Sequence, residues 1–133
     1  KTKLETLMAL TRLTLRLSRN PEAGFPEGDD SQGYVITAPL DKDGKLDADL
    51  WRAHKKACTV IRFSPDDSEK ADGWLTHRGA NWFFHYDEDH EGPDEPVYKL
   101  GDHTLRLGDY VTIHEADGDD LVHKITEATQ VNG

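Results

Sequence analysis

The feature that most constrains the fold is a close succession of short strand-like runs between residues 58 and 128. Residues typical of strands dominate these runs, which cover residues 58–63, 73–77, 81–86, 96–100, 103–107, 110–115 and 121–128. Turn sequences such as Gly108-Asp109 and Asp117-Gly118 separate most of them. Because no helical segments alternate with the runs, they predict an antiparallel sheet that curls or closes, and not a parallel βαβ sheet.

The first part of the chain predicts two further strands. Polar and apolar residues alternate over residues 11–18, which places Leu13, Leu15 and Leu17 on one face of a strand. A helix there would instead gather Leu7, Leu10, Leu13 and Leu17. A second strand is predicted at residues 34–38, after a long loop over residues 20–33.

One short helix is predicted near residues 47–56, with Asp47 as its cap and lysines in its last turn. Leu46, Leu50 and Ala53 are expected to face the core, with Trp51 beside them. The predicted fold is mostly β, a small antiparallel barrel or curled sheet of about 7–9 short strands with this helix. A single domain is expected over residues 8–133, with residues 1–7 as a non-native remnant or a disordered N terminus.

Charge narrows the classes of partner. Acidic residues number 26 and basic residues 16, which gives a net charge of −10. Such a chain repels phosphate backbones and anionic lipids, so neither nucleic acid nor a membrane is an expected partner. The single cysteine, Cys58, lies in an apolar run and predicts a buried, inert thiol. A soluble cytoplasmic protein is expected, since no apolar run is long enough to cross a membrane.

An aromatic hairpin is the most suggestive feature for function. If Gly79-Ala80 forms its tip, Trp74 lies opposite His85, and His77 lies opposite Trp82. One face then carries Leu75, His77, Trp82, Phe84 and Tyr86, and the other carries Trp74, Thr76, Arg78, Asn81, Phe83 and His85. Aromatics on both faces predict one face in the core and the other covered by a loop, helix or partner, or lining a ligand pocket.

Three groups of residues raise a metal hypothesis. His85, Asp87 and His90 form the densest set of metal-ligand types, and His103, His114 or His123 would supply a distal ligand. A hairpin turn at 117–118 would place Thr112 opposite His123, with His114 on the same face. Asp41, Asp43 and Asp47 resemble part of an EF-hand loop, but the twelfth position is Leu50, which has no carboxylate. An acid-rich turn followed by a capped helix explains the same three acids.

The sequence favours a non-enzymatic binding or protein-interaction domain without a cofactor, acting as a homodimer or with another protein. The predicted contact residues are Trp74, His77, Trp82, His85 and, in the long loop, Phe25. The acidic segment over residues 87–95 would rim this surface and suit a basic or neutral partner. The alternative is a small enzyme that uses a divalent metal at His85, Asp87 and His90.

Overall fold

The computed structural model describes residues 10–65, 71–78, 81–86, 95–98, 104–114 and 120–131. Within these ranges antiparallel strands form one closed barrel, in which each strand pairs with its neighbours in the chain and the last pairs with the first. The strands are β1 (Leu10–Leu17), β2 (Asp29–Pro39), β3 (Thr59–Phe63), β4 (Ala71–Arg78), β5 (Asn81–Tyr86), β6 (Glu95–Tyr98), β7 (Tyr110–His114) and β8 (Asp120–Val131). The predicted mostly β fold is confirmed.

The predicted helix is present but short. It extends over Ala48–Ala53 and is called α1. Asp47 begins it, because one carboxylate oxygen accepts two backbone N–H groups of the first turn at 3.0 and 3.2 Å. The helix ends at His54, and a 3-10 turn follows over Lys55–Ala57. The expectation that Ala53 faces the core is wrong: Trp51 is the buried side chain of α1, and Ala53 is exposed.

Apolar side chains fill the barrel interior. Leu13, Leu15 and Leu17 are all at most 2% exposed, as the alternation in β1 predicts. The cavity among the described core residues has a volume of only about 10 Å³. That is room for at most one water molecule, so the described interior is a packed core and offers no cup for a ligand.

Pairing around the barrel is uneven. β1 pairs with β2 and with β8 along its whole length, with one register shift on each side, between Arg16 and Leu17 towards β2 and between Thr14 and Leu15 towards β8. By contrast, β6 pairs with β5 and with β7 through two residue pairs each. One wall of the barrel is therefore long and continuous, and the opposite wall is closed by a short strand.

β2 begins at Asp29, so the loop predicted over residues 20–33 is shorter than expected. Gly33 allows β2 to approach β1, because a Cβ atom at this position would collide with the carbonyl oxygen of Leu15. The register between the two strands shifts beside this point, between Arg16 and Leu17. A bulge of this kind bends the strands and helps a sheet to close.

The structure corrects two further expectations. The predicted strand at 103–107 is wrong for its described part, where Leu105 instead donates its N–H to the carbonyl oxygen of Gly44, in the turn before α1, at 2.7 Å. The predicted pairing of Thr112 with His123 is wrong by one residue, since Val111 lies opposite His123. Because the connection differs by one residue from the predicted one, every pair between the two strands is shifted. Register positions 114 and 123 therefore belong to opposite faces of the sheet, and not to the same face as predicted.

Candidate functional site

The aromatic hairpin folds in the predicted register. Trp74 pairs with His85, and His77 pairs with Trp82. β4 and β5 are held in this register by six consecutive pairs. Because side chains alternate along a strand, this register separates the aromatics onto an inner and an outer face.

The inner face belongs to the core. Leu75, Trp82 and Phe84 are 1%, 5% and 0% exposed. The Trp82 ring lies 4.4 Å from the His77 ring and 6.1 Å from the Trp51 ring, centroid to centroid. Trp82 and His77, both predicted as contact residues, therefore lie in an aromatic cluster with Trp51, a packing arrangement that sequence spacing alone does not reveal.

Trp51 is tied to this cluster by its indole nitrogen. The Nε1–H group donates a hydrogen bond of 2.7 Å to the carbonyl oxygen of Leu75 in β4. A buried indole needs such an acceptor, because an unpaired polar group away from water costs free energy. This bond holds α1 against the hairpin and so determines which residues lie beside Trp74.

The outer face of the barrel carries an apolar stripe. Trp74 and Ile61 are 40% and 43% exposed, and Val35 and Phe83 are half-buried. Val35 pairs with Ile61, Trp74 lies two residues beyond the partner of Ile61, and Phe83 lies two residues from the partner of Trp74. The four side chains thus lie diagonally across β2 to β5, and we call them the outer stripe.

A basic groove adjoins the stripe at Trp74. The groove has a volume of about 620 Å³ and is lined by Trp51, Lys55, Lys56, Trp74, Leu75 and Thr76. The Lys55 ammonium group lies over the Trp51 ring, 4.9 Å from its centroid. The groove therefore combines an apolar floor with two lysine side chains, in a chain that carries a net charge of −10.

The metal hypothesis gains no geometric support. His85 is exposed on the outer face, and Asp87 and His90 lie outside the described residues, as does His103. Among the residues that are described, no three His, Cys, Asp or Glu side chains are grouped so that they could hold a metal ion. Asp41 uses its carboxylate to accept the backbone N–H groups of Asp43 and Lys45, at 2.8 and 3.0 Å, as an ordinary turn does.

His123 is a buried titratable residue that the sequence did not single out as a core group. Its ring is 2% exposed and lies 5.2 Å from the Tyr34 ring, edge to face. Nδ1 lies 3.2 Å from the Leu121 carbonyl oxygen, which can only accept, so Nδ1 carries the proton. Burial lowers the pKa of His123 to about 4, and His123 is neutral near pH 7.

Two other candidates are explained by local structure. Cys58 is fully buried, and burial raises the pKa of its thiol to about 11, as expected for an inert cysteine. Phe25 is half-buried, and its main chain bridges to Asn20 through two hydrogen bonds of 2.6 and 2.9 Å. The Asn20 side chain in turn bonds Ser18 and Val122, so this loop is fastened to β8.

Comparison with known proteins returned no match: no family model, no curated sequence and no solved structure is similar to the chain. In the described part of the chain no helix has the length and hydropathy needed to span a membrane. The case for function therefore depends on the surface itself.

Proposed function

We propose that this chain is a non-enzymatic protein-interaction domain whose contact surface is the outer stripe. The observation that supports this most is the exposure of Trp74 and Ile61, 40% and 43%, on the outer face of the barrel, whose described interior is packed with other side chains. Neither side chain is needed to fill the interior. A tryptophan left partly in water on a rigid sheet is the residue type that most often anchors an interface.

Neighbouring strands support the same reading. Val35 and Phe83 extend the apolar surface on either side of Ile61 and Trp74. Single exposed apolar residues are common, whereas four apolar side chains at neighbouring register positions across four strands are more typical of contact sites. The partner under this proposal is a protein, either a second copy of the chain or a different one.

Site-specific photo-crosslinking tests the proposal. A photoreactive phenylalanine analogue is placed at Trp74, at Ile61 or, as a control, at Tyr110, which is 55% exposed on β7, outside the stripe. The variants are expressed in cells that naturally contain the protein and are then irradiated. We expect the same crosslinked species, with itself or with another protein, from positions 74 and 61 and not from 110. Equal crosslinking from all three positions, or none from 74 and 61, would contradict the proposal.

A further inference from the structure

We infer that the groove at Trp74 binds an acidic segment of a partner protein that also carries a large apolar side chain. This inference rests on the proposed function and names the chemistry of the partner. Two independent features of the groove lead to it: the lysines at its rim and the aromatic surface at its floor.

The lysines are placed to bind anions. Lys55 and Lys56 are exposed and follow α1, within the basic run from Arg52 to Lys56. In the ranges that the structure describes, ion pairs join Arg16 to Glu127 and Arg52 to Asp49, and neither lysine takes part. Both ammonium groups are thus available to a carboxylate from outside, although the chain as a whole is acidic.

The net charge does not prevent this contact. Exposed Asp72 lies opposite Ile61, two residues from Trp74 on the same face, so the acidic residues of the partner are expected at the lysine end of the groove and not over the stripe. Charges separated by more than about 8 Å are largely screened at physiological salt, so acidic residues beyond that distance act weakly on a ligand in the groove. A carboxylate in the groove lies next to the two lysines instead. The contrast between the two lysines and the acidic remainder of the chain also limits the partner to a short acidic segment, because a long polyanion such as nucleic acid would reach the acidic surface.

The floor of the groove requires an apolar group as well as a charge. Trp51, Trp74 and Leu75 line it, and of these Trp74 is the exposed side chain, at 40%, whereas Trp51 and Leu75 are buried. Lys55 already stacks over Trp51, which holds its ammonium group beside the apolar floor. A side chain such as leucine or phenylalanine next to a carboxylate would match both properties.

The outer stripe favours a peptide chain over a small acid. From β2 to β5 it crosses three inter-strand gaps of about 4.8 Å and shifts by two residues along the strands at two of them, which gives a diagonal span of about 20 Å. An extended segment of about six residues covers this distance, at about 3.3 Å per residue. A single small carboxylic acid would fill the groove at Trp74 and leave Ile61 and Val35 uncovered.

Titration of the isotope-labelled full chain with short synthetic peptides tests the inference. The peptides share one central Leu-Phe pair, flanked by Asp and Glu, by Ser, or by Lys. NMR indole signals report each tryptophan separately. We expect the acidic peptide to shift the Trp74 and Trp51 signals, and to bind at least about tenfold more tightly than the serine peptide. Added salt should weaken the acidic peptide selectively.

A pair of double variants isolates the role of the lysines. Lys55→Glu with Lys56→Glu should weaken the acidic peptide about tenfold or more. Lys42→Glu with Lys45→Glu makes the same change of net charge in the exposed turn before α1 and should leave binding unchanged. Unshifted amide signals in β1 confirm that each variant is folded.

The outcomes separate the inference from the proposed function. Equal binding of all three peptides, no binding of the acidic one, or equal effects of the two double variants would overturn the acidic-segment inference and leave the interaction domain standing. Self-association that Trp74→Ala abolishes would identify a second copy as the occupant, which also overturns the inference while supporting the proposed function. Equal crosslinking from positions 74, 61 and 110, or none from 74 and 61, would overturn the proposed function itself.

Discussion

Adjacent phenylalanines in β5 show how differently the two sides of the barrel wall use the same residue. Phe84 is fully buried, packed 5.2 Å from the Tyr34 ring by centroid distance. Phe83, one position earlier, lies half-buried on the outer stripe. The alternation of a strand thus lets one hairpin supply both the core and a contact surface. Substitutions on the inner face should therefore lower stability, and substitutions on the outer face should weaken binding.

The largest effect is expected at the inner phenylalanine. Phe84→Ala should lower the free energy of unfolding by about 3–5 kcal/mol, because it removes a buried ring and leaves a cavity. Phe83→Ala, the matched control on the other face, should cost about 1 kcal/mol or less. Urea denaturation of both variants measures the difference. Similar losses would show that both faces contribute equally to the core.

A pH-dependent effect should follow from buried His123. Its pKa is about 4 in the folded chain and 6.5 in the unfolded one, so between these values only the unfolded state takes up the proton. The stability that neutral His123 confers is complete above pH 6.5 and is lost as the pH falls towards 4. At about 1.4 kcal/mol per pKa unit, the loss amounts to about 3 kcal/mol.

His123→Leu isolates this contribution from the titration of the many carboxylates. Between pH 7 and pH 4 the wild type should lose up to about 3 kcal/mol more than the variant, measured by urea denaturation. His85→Gln, which alters an exposed histidine, is the control and should follow the wild type. Identical slopes for the wild type and His123→Leu would argue against a buried neutral imidazole.

A smaller loss is expected when α1 loses its bond to the hairpin. Trp51→Phe keeps an aromatic ring but removes the donor to the Leu75 carbonyl oxygen. The cost should be about 1–2 kcal/mol, because the buried acceptor loses its partner. Trp74→Phe makes the same chemical change on the outer face and should cost less. An equal cost would mean that the indole bond of Trp51 adds nothing to stability.

The smallest effect on stability is expected at Trp74. Trp74→Ala should change the free energy of unfolding by about 1 kcal/mol or less, since the side chain is 40% exposed. The same variant should lose the interaction assigned to the outer stripe, whereas Tyr110→Ala should retain it. Chemical denaturation and the peptide titration, applied to both variants, give the two readings. A large loss of stability at Trp74 would place it with the core residues instead.

The sequence predicted which residues lie on the inner and outer faces wherever a local sequence pattern determines the structure. Leucine alternation identified the inner face of β1, and the tight connection at residues 79–80 identified the pairs Trp74–His85 and His77–Trp82. The longer connection between β7 and β8 did not reveal its register, because a one-residue difference there reverses every assignment. The strand predicted at 103–107 failed for a related reason: Leu105 is buried, but its N–H bonds a loop and not a ladder.

The groove is the part of the site that sequence could not predict. It forms because Trp51 reaches the Leu75 carbonyl, 24 residues along the chain, and brings Lys55 and Lys56 beside Trp74. No periodicity reports such a contact, since helix and hairpin are each locally complete without it. The helical pattern placed Leu46, Leu50 and Ala53 towards the core. The two leucines do pack against it, but the long-range indole bond makes Trp51, and not Ala53, the buried residue of the helix.

Closure of the barrel has a consequence for how any partner is recognised. In the described strands the pairing runs continuously from β1 round to β8 and back to β1. Along the paired stretches, which include the positions of Val35, Ile61 and Trp74, a bound peptide therefore cannot join the sheet as an additional strand, a mode of recognition that needs an unpaired edge. The partner's identity must then be read from its side chains and not from its backbone amides. A peptide with N-methylated amides at its contact positions should bind as well as the unmodified one, provided that it keeps the same extended shape.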